Sequence, residues 1–238
     1  MYKHLPLCLI LTILMLYFAS PVAAASPPTP EQQVTQLQKQ YQQLHSLEFN
    51  FSQTTQNSGR IKQGTGNAVF YRLTDTSSPP STKQGIMRWN YTGALEQTII
   101  NDGTTLSIYT PEDKQLIISP AHDLKTDITY AIFTGTKKLV DEFIAAQGDA
   151  SFLLNEPPKD LESVLLTPRQ PHPQIKRVQL WFTSSLIIDR LLMEDHFGAM
   201  TELKFTNIRL NALQRGDRQK VQLLLQLNTA PGTEIIRQ

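Results

Sequence analysis

The sequence predicts an α+β fold, mainly β: a strongly curved antiparallel sheet of about eleven strands packed around a few helices. Three observations lead there. Apolar residues alternate with period two in run after run, "LEFNFSQTTQ" and "GIMRWNY" among them. Corners such as Thr-Gly, Asp-Gly and Pro-Glu-Asp separate the runs. Helical spacing replaces alternation clearly in two places, before the first strand and in the middle of the chain. With 238 residues, 40% of them hydrophobic, the chain can bury one substantial core, and a single domain accounts for the pattern.

The N-terminal segment stands apart from the fold. Lys3 and His4 precede an apolar run from Leu5 to Phe18, and "ASPVAAAS" follows. These are the three regions of a secretory signal peptide, here residues 1–25, with cleavage near Ala25 and a single domain over 26–238. The run is shorter than the roughly 20 residues of a spanning anchor. The only cysteine, Cys8, lies inside this segment. The exported chain therefore has no disulfide, no thiol nucleophile, no thiolate metal site and no cysteine for a lipid anchor. Without Lys3, basic and acidic residues balance, which excludes an electrostatic case for nucleic acid as partner.

"SPPTPEQQ" opens a helix: Thr29 suits the N-cap, Pro30 the first position and Glu31 the first turn. Val34, Leu37, Tyr41 and Leu44 form its apolar stripe, against a back made mostly of Gln. Such a stripe packs on a core or covers a cavity. Strands follow at "LEFNFSQTTQ" and, after a Gly-containing corner, at "GNAVFYRL". A polar loop, "TDTSSPPSTKQG", leads into a meander of four short strands, "GIMRWNY", "LEQTIIN", "TTLSIYT" and "KQLIIS". Ile128, Ile132 and Phe133, then Leu139, Val140, Phe143 and Ile144, recur at helical spacing, and Gly135 divides them into two short helices. Strands resume at "ASFLLNE", "ESVLLTP", "IKRVQLWF", "SLIIDRLLMED" and "AMTELKFTNIRL"; the tail "KVQLLLQLNTAPGTEIIRQ" is apolar but ambiguous in type.

The residues of a catalyst are hard to assemble from this sequence. There is no G-x-S-x-G elbow and no H-E-x-x-H pair, and "GTG" at Gly64–Gly66 follows no βα unit. His45, His122, His172 and His196 have no partner at ligand spacing, so no metal site is expected. Asp189, Glu194 and Asp195 are the carboxylates from which a hydrolase would draw an acid and a base. What stands out is apolar wall. Met87, Trp89 and Tyr91 share a strand face, as do Phe49 with Phe51, Leu106 with Ile108, and Phe70 with Arg72. Such a sheet either packs fully on helices or leaves room for an apolar ligand. A guanidinium on that face needs a hydrogen-bond acceptor or a path to water, and both readings of Arg72 stay open.

The order of the motifs resembles a known family. A helix, "F-x-Q", a strand ending in Arg, "RWNY", "IINDGTTLSIYTPEDKQL", a helical "ITYAIFTG" and a terminal "APGTEII" resemble the LolA family of periplasmic lipoprotein carriers over essentially the whole exported chain. The resemblance implies an incomplete antiparallel β-barrel with a helical lid over an apolar cavity, and a periplasmic monomer. It also implies that the chain takes up lipoprotein acyl chains from the inner-membrane ABC transporter LolCDE and hands them to the outer-membrane receptor LolB, with no cofactor and no bond chemistry. By position, Arg72 matches the arginine that latches the lid, Met87 an aromatic cavity position, Trp89 the tryptophan after it, and Ile128–Phe133 part of the lid. The expected lipid-binding wall is Phe49, Phe51, Phe70, Met87, Trp89, Tyr91, Ile99, Leu106 and Ile108, with Ile132 and Phe133 on the lid. A sensing role for the same lipid-binding fold is the alternative. The sequence departs from the family at Leu73 in place of Pro, in its longer 74–85 insertion, and in a tail "VQLLLQL" without the usual aromatic.

Overall fold

The computed structural model describes residues 26–72, 85–121, 128–134 and 138–238. The expected signal peptide with Cys8, Leu73, the insertion as far as Gln84, His122 and Gly135 lie outside them. Helix α1 (Pro30–Gln43) begins as expected. The Thr29 hydroxyl accepts from the Gln32 amide, and the Gln32 side chain accepts from the Thr29 amide at 2.9 Å. Its buried face is broader than the apolar stripe, because Gln33 and Gln38 are buried beside Val34, Leu37 and Tyr41.

Strands β1 (Ser46–Asn57) and β2 (Arg60–Arg72) form one long hairpin, turned at Ser58 and Gly59 with φ of 48° and 78°. Gly64–Gly66, which follow no βα unit, lie within β2. Gly66 lies opposite Phe51, and a Cβ there would overlap the Asn90 carbonyl and the Phe51 ring, so this glycine makes room rather than a turn. The meander follows as β3 (Gly85–Thr92), β4 (Gln97–Asn101), β5 (Thr105–Thr110) and β6 (Gln115–Pro120). Helices α2 (Ile128–Thr134) and α3 (Leu139–Glu142) come next, then β7 (Phe143–Gln147). The helix expected to run through Phe143 and Ile144 therefore ends at Glu142. β7 pairs with β8 (Glu162–Pro168), Phe143 opposite Pro168, and this ladder overrides the local spacing.

Strands β9 (Arg177–Phe182), β10 (Ile188–Glu194) and β11 (Met200–Leu210) complete the second meander. "ASFLLNE" is not a strand. Its backbone runs through turns, and Phe152 packs with Trp181 and Leu192 on the outer face of the sheet. The ambiguous tail resolves into α4 (Arg218–Leu225) and β12 (Glu234–Arg237).

The twelve strands among the described residues join one sheet, against about eleven expected from the sequence, in the order β12-β6-β5-β4-β3-β2-β1-β11-β10-β9-β8-β7. Every pair is antiparallel except β12 with β6. The edge strands β7 and β12 do not pair with each other, so the barrel is incomplete. One apolar cluster contains residues from β1 to β3, from β7 to β11 and from α1, α2 and α3. A sheet whose distant strands meet the same helices must curl around them, and this is the predicted architecture: a mainly β, α+β fold with helices on the concave side.

The convex side is also covered. The segment after β11 crosses β2 to β5: Tyr71 donates to the Gln214 carbonyl (3.1 Å) and accepts from the Gly216 amide (2.8 Å), while the Tyr109 hydroxyl accepts from the Ala230 amide (2.9 Å). Arg88 donates to the carbonyls of Leu224 (3.1 Å) and Gln226 (2.7 Å) at the end of α4. Arg190 and Glu202, both buried, pair at 3.3 Å on the outer face, and Arg190 also holds the Glu156 carbonyl at 2.8 Å.

Candidate functional site

Strand register decides which side chains face the helices. Across β1 to β6, Phe49, Ala68, Trp89, Ile99, Ile108 and Ile117 stand side by side, and Leu47, Phe70, Met87, Asn101, Leu106 and Ser119 form the neighbouring row. Phe51 and Tyr91 flank Gly66. The wall residues named from the sequence thus share one face. Phe49, Phe51, Phe70, Met87 and Trp89 are buried in the main cluster, with Tyr91 and Ile99 packed against it. Leu106 is buried and Ile108 half-buried, both beyond the edge of that cluster.

The wall is aromatic at its centre. Phe49 contacts Phe70, Trp89, Phe133 and Phe205 with centroids 4.9–6.0 Å apart, and Phe51 lies 4.4 Å from Trp89 and 5.0 Å from Tyr91. Phe133 of α2 is the helical member of this group, 5.1 Å from Phe49 and Phe70 and 5.5 Å from Tyr41 and Phe205. Ile132 is buried in the same cluster. Among the described residues, α1, α2 and α3 pack on the concave face over β1 to β3 and β7 to β11. The recess left between Leu44, Leu47, Phe70, Arg72, Ile86 and Phe133 measures about 20 Å³, room for about one water molecule.

Polar contacts fix the helical cover. Arg72, at the end of β2, donates through Nη1 to the Gln42 carbonyl at the end of α1. Burial, and after it the neighbouring Arg215, lowers the Arg72 pKa. Tyr41 accepts from the Ile188 amide at 2.9 Å, and burial pushes its phenol pKa up. Gln38 accepts from the Leu139 amide at 3.0 Å, and Gln33 donates to Glu162 at 2.8 Å. Sequence reading missed these two glutamines. Their spacing of one residue from Val34 and Leu37 was the available signal.

Glu194, Asp195, His45, His172 and His196 have structural partners. Burial would raise the Glu194 pKa, but Lys176 at 2.7 Å and Arg177 at 2.5 Å outweigh it and hold the carboxyl below its ordinary value. Asp195 accepts from the amides of Phe197 and Ala199 in its own hairpin. His45 Nε2 lies 2.7 Å from the Leu213 carbonyl, His196 Nε2 lies 2.7 Å from the His172 carbonyl, and His172 accepts from the amides of Gln174 and Ile175. Among the described residues, no three His, Cys, Asp or Glu side chains cluster to hold a metal, and no helix is long and apolar enough to cross a membrane.

The chain is 25% identical over 200 residues to an outer-membrane lipoprotein carrier protein of Chromobacterium violaceum, covering 83% of this chain and 87% of that one. It is 24% identical over 207 residues to the protein of the same name from Hahella chejuensis, covering 84% and 88%. A crystal structure of a LolA superfamily protein from Nitrosomonas europaea aligns over 79% of this chain and 96% of that one, with 16% identity and a TM-score of 0.38. The family described as outer membrane lipoprotein carrier protein LolA matches residues 42–217, well over half of the chain, and the chain belongs to that family.

Proposed function

We propose that this protein is a periplasmic carrier that binds the acyl chains of lipoproteins against the concave wall of β1 to β5 and moves them from the inner to the outer membrane. In this reading the signal peptide directs export and is removed near Ala25, and the remainder acts as one domain and as a monomer. LolCDE loads it and LolB unloads it. The observation that carries the reading is Phe133: α2 inserts this one ring among the rings of Tyr41, Phe49, Phe70 and Phe205. A cover held by such contacts occupies apolar wall that a ligand can take over.

The energetics favour exchange. A twelve-carbon chain leaving water gains about 10 kcal/mol at roughly 0.8 kcal/mol per CH₂. Ile128, Tyr130, Ile132 and Phe133 are all buried on α2, and lifting them exposes side chains worth about 1.5–3 kcal/mol each. The two sums are comparable, so loading and release are both accessible. Arg72 serves as the latch on α1, and no cofactor or covalent step is needed. The test is mass spectrometry of apolar material released from protein purified out of periplasm, beside binding of an environment-sensitive apolar dye to the purified protein. Acylated protein or acyl chains and saturable dye binding are expected; neither appearing would overturn the reading.

A further inference from the structure

Four buried side-chain polar atoms among the described residues have no hydrogen-bond partner: Gln33 Oε1, Trp89 Nε1, Asn101 Nδ2 and Arg190 Nε. Arg190 belongs to the ion pair on the outer face, and Gln33 already uses its amide on Glu162. The other two are N–H donors, and both lie on the concave wall. Met87 is the register partner of Asn101, and Trp89 is the next residue of β3 on that face. The pair is therefore diagonal across β3 and β4, with about 7–8 Å between backbones. The orientation of the Asn101 amide follows from its other end, where Oδ1 accepts from the Gly103 amide at 2.7 Å and leaves Nδ2 as the donor turned elsewhere.

A buried donor without a partner is costly, and an apolar wall has no packing need for one. Phenylalanine in place of Trp89, or leucine in place of Asn101, would line the face without that cost. What distinguishes an acyl chain from plain hydrocarbon is the carbonyl at its head, an acceptor with no donor of its own. We propose that Trp89 Nε1 and Asn101 Nδ2 form a carbonyl-binding subsite, which receives the ester or amide oxygens of acyl chains when α2 is displaced. The subsite deepens the carrier reading and rests on it. Asn101 ends β4 in the row of Phe70, two residues from Arg72, so it lies toward the end of the wall that Arg72 closes. The Tyr130 hydroxyl of α2 is the polar group near it. Burial raises the Tyr130 pKa and the Asn101 side chain, close enough to act on the phenol, lowers it, so with the lid closed the Tyr130 hydroxyl is the polar neighbour of Asn101 Nδ2, and the Trp89 indole N–H is the donor left with none.

The consequence is selectivity for acyl over alkyl chains. The probes are a lipopeptide with two ester-linked chains and its dialkyl ether analogue, which lacks only the carbonyl oxygens. The wild-type protein should bind the ester about three- to tenfold more tightly, the range of one hydrogen bond. Trp89→Phe should abolish most of that preference, the ester losing about three- to tenfold more affinity than the ether, whatever both lose through the smaller ring. In protein carrying ¹⁵N-tryptophan, the ester should shift the Trp89 indole N–H resonance downfield and the ether should not, with Trp181 as internal reference; this readout needs no variant. Equal affinities in the wild type with no indole shift, or equal loss of both ligands in Trp89→Phe, would overturn the subsite while leaving the carrier reading intact. Failure of both lipopeptides to bind would overturn the carrier reading and the subsite with it.

Discussion

Arg72, Phe133 and Glu202 each place a different term of the energetics within reach of a single substitution. Arg72→Leu removes the donor to the Gln42 carbonyl at the end of α1, a half-exposed bond worth about 1 kcal/mol. If that bond holds the cover closed, the variant binds an apolar dye about fivefold more tightly in a fluorescence titration and releases lipoprotein poorly; unchanged values for both exclude a latch. Phe133→Ala and Phe205→Ala remove rings that touch each other at 5.5 Å, one on α2 and one on β11. A ring in a fixed core costs about 3–5 kcal/mol when truncated, and urea unfolding should show that loss for Phe205→Ala. Phe133→Ala should lose less and gain dye affinity, because α2 can lift away from the cavity instead of bearing it; equal losses would argue that α2 is permanent core. Glu202→Leu strands the buried Arg190 guanidinium and should cost about 3–5 kcal/mol in the same assay, with Arg190→Met restoring part of it.

The turn between β4 and β5 is where pH enters. Burial would raise the Asp102 pKa, but the amides and hydroxyls of Thr105 and Thr104 donate to its carboxylate at 2.7–2.8 Å and hold it below the ordinary value of 3.8. A depressed folded-state value stabilises the fold above the unfolded pKa and loses that contribution as pH falls through the folded one. The urea midpoint should therefore fall as pH drops below about 4, and Asp102→Asn should flatten part of that slope. A slope identical in the variant would assign the effect to other carboxylates. This "NDG" corner was legible in sequence as a turn, because Asp and Gly supply an acceptor and a left-handed residue; Gly103 has φ 95°. The α1 start was legible for the same local reason, through Thr29, Pro30 and Glu31, while the reciprocal bond from Gln32 came only with the structure. Elements decided by distant partners were not. Phe143–Gln147 has helical spacing but lies against β8, and "FLLNE" has strand-like composition but covers Trp181.

Across the whole molecule, protection should follow depth in the sheet. β1 is central, flanked by the long strands β2 and β11, whereas α2 and α3 lie outside the strand ladder, on the concave side of the sheet. Hydrogen exchange should be slowest in β1, β2 and β11 and faster in α2 and α3, and an acylated ligand should alter exchange in the helices without changing the central strands. Ligand-induced change confined to the sheet would contradict a helical cover. The sequence by itself determined the alternation that makes this protein an antiparallel sheet, the caps and corners that start and end its elements, and the order of motifs that carries the family resemblance. It also put Phe49, Phe51, Phe70, Met87 and Trp89 on one side of their strands, because period two is a property of the extended backbone. Only the tertiary structure decided what that side faces. Closure of the concave wall by Phe133, the crossing of the convex face by the tail after Leu210, and the absence of partners for Trp89 Nε1 and Asn101 Nδ2 all depend on contacts between residues far apart in the chain. Local pattern carries no information about which distant group arrives, and a hydrogen bond that is never made leaves no trace in sequence.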